Sequence, residues 1–408
     1  MDIQRTIEPL AREIATSFRA MVVCGPRQVG KTWLLKRVAA QLGGYRTVSF
    51  DDDSLRDQAR DDPVLFLKTH PAPLFLDEVQ KVPELFPAMK SVLDANDSRG
   101  QFLMTGSQQF QMMKRAHESL AGRIGILRLQ GLSQAETEGR PDTPPFLPSM
   151  EASRWIREKP LPLREIFGAV VRGGYPECFS VPCMNVRRYF QSYVETYIER
   201  DVRDMVDVSN IGVFRTFMRV CAARTGQLLN YADLARDAGI SVPTARTWLS
   251  MLEISGIVYL LHPYYNNLIK RVVKTPKLYF TDSGLCSHLL GIATADAAID
   301  SPMSGALLET YVVMDICKSH WHAGSDAQFW FYRDGDQREV DLVIESDGRL
   351  HPVEIKRAAT IRPPDVKRGM DAFRAAARER AGLGAVAFLG DTFGALNAET
   401  ALIPISVL

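Results

Sequence analysis

Residues 25 to 32 read Gly25-Pro26-Arg27-Gln28-Val29-Gly30-Lys31-Thr32. This is the G-x-x-x-x-G-K-[ST] spacing of a phosphate-binding P-loop. Four apolar or small residues, Met21 to Cys24, lead into it, and a helical stretch from Trp33 to Leu42 follows. Strand, glycine-rich turn and helix are the context the motif requires. The glycines let backbone N–H groups curl around a phosphate, and the helix N-terminus adds partial positive charge. Residues 25 to 32 are therefore expected to hold a nucleotide. Lys31 is expected at the β- and γ-phosphates, and the Thr32 hydroxyl on Mg²⁺.

A second motif stands where such a site requires it. Pro73-Leu-Phe-Leu-Asp77-Glu78 is an apolar strand ending in two carboxylates. It is apolar because a parallel sheet is buried on both faces. Asp77 is expected to hold the Mg²⁺ shell. Glu78 is expected to orient and deprotonate the attacking water, since phosphoryl transfer leaves the protein mostly positioning and charge stabilisation. The adjacent Asp and Glu point to hydrolysis, not only binding. A third strand, Gln101 to Thr105, runs into Gly106-Ser107-Gln108. Ser107 is expected to sense the γ-phosphate, with Thr105 and Gln108 as rivals. Arg123, in Leu120-Ala-Gly-Arg123, is either a finger toward the γ-phosphate, in the same subunit or a neighbour, or a surface arginine at a helix end. Asp51-Asp52-Asp53 receives no catalytic role.

A chain of 408 residues has room for several domains. With 46% hydrophobic and 24% charged residues it has the composition of an ordinary globular protein, and a net charge of +1 gives no global field toward nucleic acid or membrane. The six cysteines (24, 178, 183, 221, 286, 317) form no C-x-x-C pair and have no zinc spacing. They read as reduced core residues of a cytosolic protein. The histidines form no ligand set, and His320 and His322 read as a helix end. Residues 1 to 10 are polar, so no signal peptide is expected, and no apolar run approaches the roughly 20 residues of a membrane span. The expected location is the cytoplasm.

The expected organisation runs in five parts. Residues 1–138 form an α/β core of alternating strands and helices, with strands near 21–24, 46–50, 73–77, 101–105 and 124–129. Six prolines (141, 144, 145, 148, 160, 162) make 139–162 a linker. Residues 163–207 are a helical lid, broken at Gly173-Gly174-Tyr175-Pro176 and resumed as a charged helix from Val186 to Val206.

Residues 208–272 read as a winged helix-turn-helix. Its parts are a helix from Leu228 to Ala238, a turn at Gly239-Ile-Ser241, a second helix from Val242 to Ser255 and a strand from Ile257 to Leu261. Ser241 suits the N-cap and Pro243 the first turn. In such units the second helix enters the major groove. Thr244, Arg246, Thr247 and Ser250 would face DNA, and Ala245, Trp248, Leu249 and Leu252 the core. From Arg200 to Phe280 there are eleven Lys/Arg against six Asp/Glu, including Lys270, Arg271, Lys274 and Lys277. This is a local electrostatic footprint. A module for packing or protein contact is the other reading.

Residues 273–408 read as a third α/β unit. Glu309 stands alone on an apolar helix face. Arg338 to Ile344 and Leu350 to Lys356 are strands joined by an Asp347-Gly348 turn. Glu354 and Lys356 share a face because the strand period is two. Asp341 lies on the neighbouring strand, and Glu309 reaches in from the helix. Asp341 and Glu354 would ligate Mg²⁺ or Mn²⁺, and the metal with Lys356 would activate water and stabilise phosphorane-like charge. An ordinary hairpin with solvated charges is the other reading.

Taken together, Gly25 to Thr32, Leu76-Asp77-Glu78-Val79-Gln80, Thr105-Gly-Ser-Gln-Gln109, Leu120 to Arg123 and Gly173 to Pro176 resemble the motifs of prokaryotic AAA-type ATP-binding proteins related to the archaeal ATPase clade. Tyr197 to Arg203, Tyr279 to Leu285 and Arg338 to Leu342 fit the same group. The resemblance implies ATP and Mg²⁺ binding. It also implies an ATPase core followed by a winged helix and a C-terminal domain of unknown function similar to PD-(D/E)xK nucleases. One departure stands out: Val340, not proline, precedes Asp341. Two functions are expected from these readings. One is an ATP-hydrolysing protein that acts on nucleic acid, DNA foremost, and cuts it through Glu309, Asp341, Glu354 and Lys356. The other is an ATP-driven switch that binds DNA or protein through a catalytically silent nuclease fold. A motor ring would need oligomers with Arg123 acting across subunits.

Overall fold

The computed structural model describes residues 3–106, 120–151, 161–181, 184–198, 211–265 and 275–408. Strands β1 (Ala20–Cys24), β2 (Arg46–Ser49), β3 (Leu74–Asp77), β4 (Phe102–Thr105) and β5 (Ile124–Arg128) form a parallel sheet in the order β2-β3-β4-β1-β5. Every residue of β1 is buried, as expected of a central parallel strand. The register sets Val23 beside Thr105 and Ser49 beside Asp77, so the carboxyl ends of β1, β3 and β4 open on one edge of the sheet. The helix Glu8–Ser17 closes tightly on β5 because Gly125 has no side chain: a Cβ there would run into Ile14 and Phe18.

The helices Ile211–Ala222, Tyr231–Ala238 and Val242–Ile254 follow. Their ends carry local signals. Asn230 accepts the amides of Ala232 and Asp233, and Ser241 accepts the amide of Thr244. They share a fold unit with an antiparallel sheet of β6 (Gln227–Leu228), β7 (Val258–Leu261) and β8 (Lys277–Phe280), ordered β6-β8-β7. This sheet crosses the expected boundary at 272/273, because β8 pairs backward with β6 and β7 and not forward with the last unit. Of the expected lid helix, the described part is Val186–Tyr193 with a π turn through Ile198; its continuation to Val206 lies outside the described residues.

The last unit opens with the long helix Ser304–Ala323. Next come β9 (Gln328–Arg333), β10 (Glu339–Ser346), β11 (Arg349–Lys356), the helix Pro363–Ala377, β12 (Gly384–Phe388), β13 (Gly394–Asn397) and β14 (Thr400–Pro404). The sheet order is β13-β14-β12-β11-β10-β9, with β9-β10-β11 antiparallel and β11-β12-β14 parallel. Asp347 and Gly348 both take positive φ, 50° and 75°, which is the backbone a two-residue hairpin turn demands. The long helix is seated against the first unit. The Phe146 amide donates to Ser319 Oγ at 3.1 Å, and the Gln134 amide donates to Asp315 Oδ1 at 2.6 Å. One apolar core runs from β1 through the three-helix unit to β10.

Candidate nucleotide site and C-terminal carboxylate centre

The phosphate loop turns on two glycines with positive φ. Gly25 sits at φ 146°, and a Cβ there would strike the Leu129 carbonyl. Gly30, at φ 96°, precedes the helix Lys31–Leu42, and no side chain caps that helix. Its first amides are thus left for a ligand. The Lys31 ammonium donates to the carbonyls of Gly25 at 3.0 Å and Pro26 at 2.7 Å, across the mouth of its own loop. Thr32 Oγ1 donates to Asp77 Oδ1 at 2.9 Å, and the Thr105 hydroxyl donates to the same oxygen. Thr105 Oγ1 in turn accepts the Glu78 amide at 3.2 Å. The first turn of the helix Lys31–Leu42 and the ends of β3 and β4 therefore converge on one carboxylate. Glu78 is in the left-handed region, φ 56°, a conformation that non-glycine residues rarely adopt and that clusters at functional sites.

A cavity of about 470 Å³ opens over this convergence, lined among others by Arg5, Lys31, Thr32, Glu78, Pro176 and Glu177. The Gly173-to-Pro176 turn closes one wall. It is fixed by Asp282, which accepts the Gly174 amide at 2.7 Å. The Tyr189 hydroxyl donates to Gln28 Oε1 at 2.8 Å, tying the helix Val186–Tyr193 to the loop. A glycine cradle with an uncapped helix end, a lysine, and a hydroxyl–carboxylate pair fits a nucleoside triphosphate with a divalent cation. Ser107 and Gln108 lie outside the described residues, whereas Thr105 is in the site. Arg123 pairs with Asp94 and donates to the Ala121 carbonyl at 2.9 Å, and it does not line the cavity.

Sequence reading missed the group that holds the loop from behind. Arg5 is 2% exposed. Its guanidinium donates to the Val29 carbonyl at 2.9 Å, the Gln130 carbonyl at 2.9 Å and Glu136 Oε1 at 3.0 Å. Glu136 also accepts the Thr6 and Ser133 amides, and its Oε2 lies 3.2 Å from His322 Nδ1 on the long helix. Burial opposes ionisation of Glu136, but His322, the Arg5 guanidinium and the Ser133 amide hold its carboxyl well below the usual carboxylate range. The Ser133-x-x-Glu136 capping box was a legible signal for part of this; Arg5 gave none.

The helix Val242–Ile254 presents the two faces its spacing predicts. Ala245, Trp248, Leu249 and Leu252 are buried. Arg246, Thr247 and Ser250 are exposed, and Thr244 is half-buried. The Arg246 guanidinium stacks 4.2 Å over the Tyr231 ring. Just past the helix, the Cβ position of Gly256 is 3.0 Å from the Pro26 ring, so this helix end abuts the phosphate loop. Lys270, Arg271 and Lys274 lie outside the described residues.

The C-terminal carboxylates do converge, but around a lysine. Lys277 on β8 is 3% exposed. Its ammonium is 3.1 Å from Glu309, 2.6 Å from Glu339 and 3.7 Å from Asp341. The Tyr279 hydroxyl donates to Glu309 Oε1 at 2.5 Å. Lys356 donates to Glu354 Oε1 at 2.5 Å, and Asp341 Oδ2 accepts the Ile355 amide at 2.8 Å. Burial and the Asp341 charge push the Glu309 carboxyl up to about 7 and the Glu354 carboxyl up to about 8. The expectation that Lys277 belongs to a surface footprint is thus corrected: β8 turns it inward. The expectation of a metal on Asp341 and Glu354 meets the same obstacle, since no Asp, Glu, His or Cys set among the described residues is gathered to hold a metal ion. As arranged, these residues do not fit a divalent cation. The five described cysteines are free and buried, and no described helix is long and apolar enough to cross a membrane.

Three family descriptions match successive parts of the chain. A family described as AAA domain matches residues 17–138. Two domains of unknown function, DUF8612 and DUF4143, match residues 163–296 and 304–408. The uncharacterized protein Rv2008c of Mycobacterium tuberculosis is 30% identical over 353 residues, covering 86% of this chain and 72% of the relative. The uncharacterized protein Mb2031c of Mycobacterium bovis gives the same figures. Among solved structures, the Walker-type ATPase PABY2304 of Pyrococcus abyssi is similar with a TM-score of 0.43 and 15% identity, over 69% of this chain and 94% of that one.

Proposed function

Since this chain belongs to the family of these two mycobacterial proteins and carries an AAA-type, ATPase-like domain, we propose that it is a Mg²⁺-dependent ATPase whose nucleotide state governs its grip on DNA. The observation that carries the ATPase reading is the convergence of Thr32, Asp77 and Thr105 beside Glu78 and below Lys31. Gly25 to Thr32 would hold the phosphates, and Thr32 and Asp77 the Mg²⁺. The cation, when bound, neutralises charge that builds up on the phosphate oxygens. Lys31 exchanges its loop carbonyls for phosphate oxygens. Glu78 accepts the proton of the attacking water and orients it. Thr105 holds the Asp77 carboxylate and the Glu78 backbone in one arrangement. Arg123, occupied by Asp94, receives no part in the step.

The DNA reading is supported by the outward face of Arg246, Thr247 and Ser250 on a helix whose opposite face is core. The approach of Gly256 to Pro26 gives the phosphate loop a mechanical route to that helix, and the Tyr189–Gln28 bond ties the loop to the helix Val186–Tyr193. The order of the last unit, helix then antiparallel meander then helix then parallel strand, supports kinship with the nuclease-like fold. The seat of Lys277 favours the second reading, in which that fold is catalytically silent. The test is binding of a labelled duplex followed by fluorescence anisotropy. Arg246→Ala is expected to weaken binding roughly 10-fold and to lower the salt slope by about 1 if the arginine meets a phosphate. An unchanged affinity would remove this helix from the DNA surface.

A further inference from the structure

A second cavity, of about 450 Å³, lies behind the wall of the nucleotide cavity. Leu132 lines both, and its amide donates to the Gly174 carbonyl at 2.6 Å. Pro176 faces the nucleotide cavity, whereas Gly173 and Gly174 face this one. The other walls come from the helix Leu163–Arg172, the long helix Ser304–Ala323 and the segment from Leu132 to Glu138. Leu161, Ala169, Phe179 and Met314 give the lining an apolar part. Among these groups stands Lys318, only 6% exposed.

We propose that this cavity binds a small organic anion, whose carboxylate or phosphate group meets the Lys318 ammonium and whose apolar body lies along Ala169, Phe179 and Met314.

Three observations carry the inference. First, the volume is that of a small-molecule site, and the lining has the usual mixture of apolar walls with a few polar groups. Second, the buried ammonium is poorly served by the protein. It has three donors, and its hydrogen bond to the Leu132 carbonyl is long, 3.4 Å. Asp315, three residues back on the same helix, accepts the Gln134 amide at 2.6 Å and makes no ion pair with Lys318. Glu138 pairs with Arg140 at 2.7 Å, and Arg164 with Asp296 at 2.8 Å. A buried charge is costly unless it is paired and hydrogen-bonded, and here a cavity stands where the partner belongs. Third, Gly168 lines the cavity from the helix Leu163–Arg172, and a Cβ there would meet no atom within 4 Å. Glycine inside a helix is destabilising relative to alanine; at this position it leaves the cavity open.

The inference does not rest on the ATP or DNA readings, and its test omits both ligands. The nucleotide-free full chain is titrated with 8-anilinonaphthalene-1-sulfonate, an aromatic anion that fluoresces in apolar surroundings. The wild type is expected to bind it saturably. Lys318→Met is expected to weaken that binding at least ~10-fold, the worth of a hydrogen bond to a charged group, and Lys318→Arg to keep most of it. Gly168→Leu fills the cavity and is expected to weaken binding by a similar factor. Benzoate and phenyl phosphate share a ring and differ in the anionic group. Displacement of the probe is expected, and the one that acts at lower concentration identifies the group the site prefers. A wild type that binds no probe overturns the proposal, as does failure of both competitors. So does a Lys318→Met protein with an intact circular dichroism spectrum that binds like the wild type. Should Lys318→Met not fold, Gly168→Leu decides, since it places a strong helix former where no neighbouring atom stands in the way. Undiminished binding by that variant overturns the site.

Discussion

Replacing Glu78 with glutamine is expected to cut ATP turnover by about 10²–10⁴-fold while ATP binding stays near the wild-type level. The substitution keeps the length and shape of the side chain but removes its ability to take a proton. Nothing else in the site has to move. Glutamine tolerates the left-handed backbone, as Gln28 shows at φ 59° beside Glu78 at φ 56°. The hydrogen bond to Gln80 can be kept with its direction reversed, and the Thr32–Asp77–Thr105 convergence does not include the Glu78 side chain. Loss of turnover with retained affinity is the signature of an interaction made in the transition state only. Phosphate release and the affinity for a fluorescent ATP analogue measure the two halves. Turnover that survives the change would place the base elsewhere and demote Glu78 to a structural role.

Arg5→Ala is expected to destabilise the chain by about 3–5 kcal/mol, the usual consequence of stripping one partner from a buried ion pair. Three bonds from the guanidinium vanish together, and Glu136 is left buried against His322. The carbonyls of Val29 and Gln130 lose a donor in the interior, which adds a penalty of about 1–3 kcal/mol for each one left unsatisfied. Because Val29 belongs to the phosphate loop and His322 to the long helix of the last unit, the denaturation midpoint and the ATP affinity should fall together. Arg5→Lys should rescue little, since one ammonium cannot reproduce a fork that reaches two carbonyls and a carboxylate. A loss below about 1 kcal/mol, the worth of an exposed pair, would show that the junction is not structural.

Much of this site was readable because its chemistry is local. Eight consecutive residues specify the loop, and the apolar run before Asp77-Glu78 specifies the strand that carries them. The faces of the helix Val242–Ile254 followed from spacing: Ala245, Trp248, Leu249 and Leu252 recur on one side, and burial agrees at all four. The Asp347-Gly348 hairpin followed from turn chemistry. What escaped was long-range. Arg5 and Glu136 are 131 residues apart, and nothing near either announces the other. Lys277 was counted with its basic neighbours because a charge tally does not see direction. Only the pairing of β8 with β6 and β7 turns it toward Glu309, 32 residues on. The spacing predicts that Glu309, Asp341 and Glu354 meet; the structure sets Glu309 and Asp341 against Lys277, and Glu354 against Lys356. The lysine between Glu309 and Asp341 was invisible because it comes from a different unit.

The coupling proposed between the phosphate loop and the outward helix runs through Pro26 and Gly256. The most direct measurement is the affinity of the Glu78→Gln protein for a labelled DNA duplex, with saturating Mg²⁺–ATP and without nucleotide. Coupling predicts dissociation constants that differ by at least ~5-fold, with DNA shifting the ATP affinity by the same factor, as linkage requires. Equal affinities in the two states, from a protein that binds both ligands, would contradict the account.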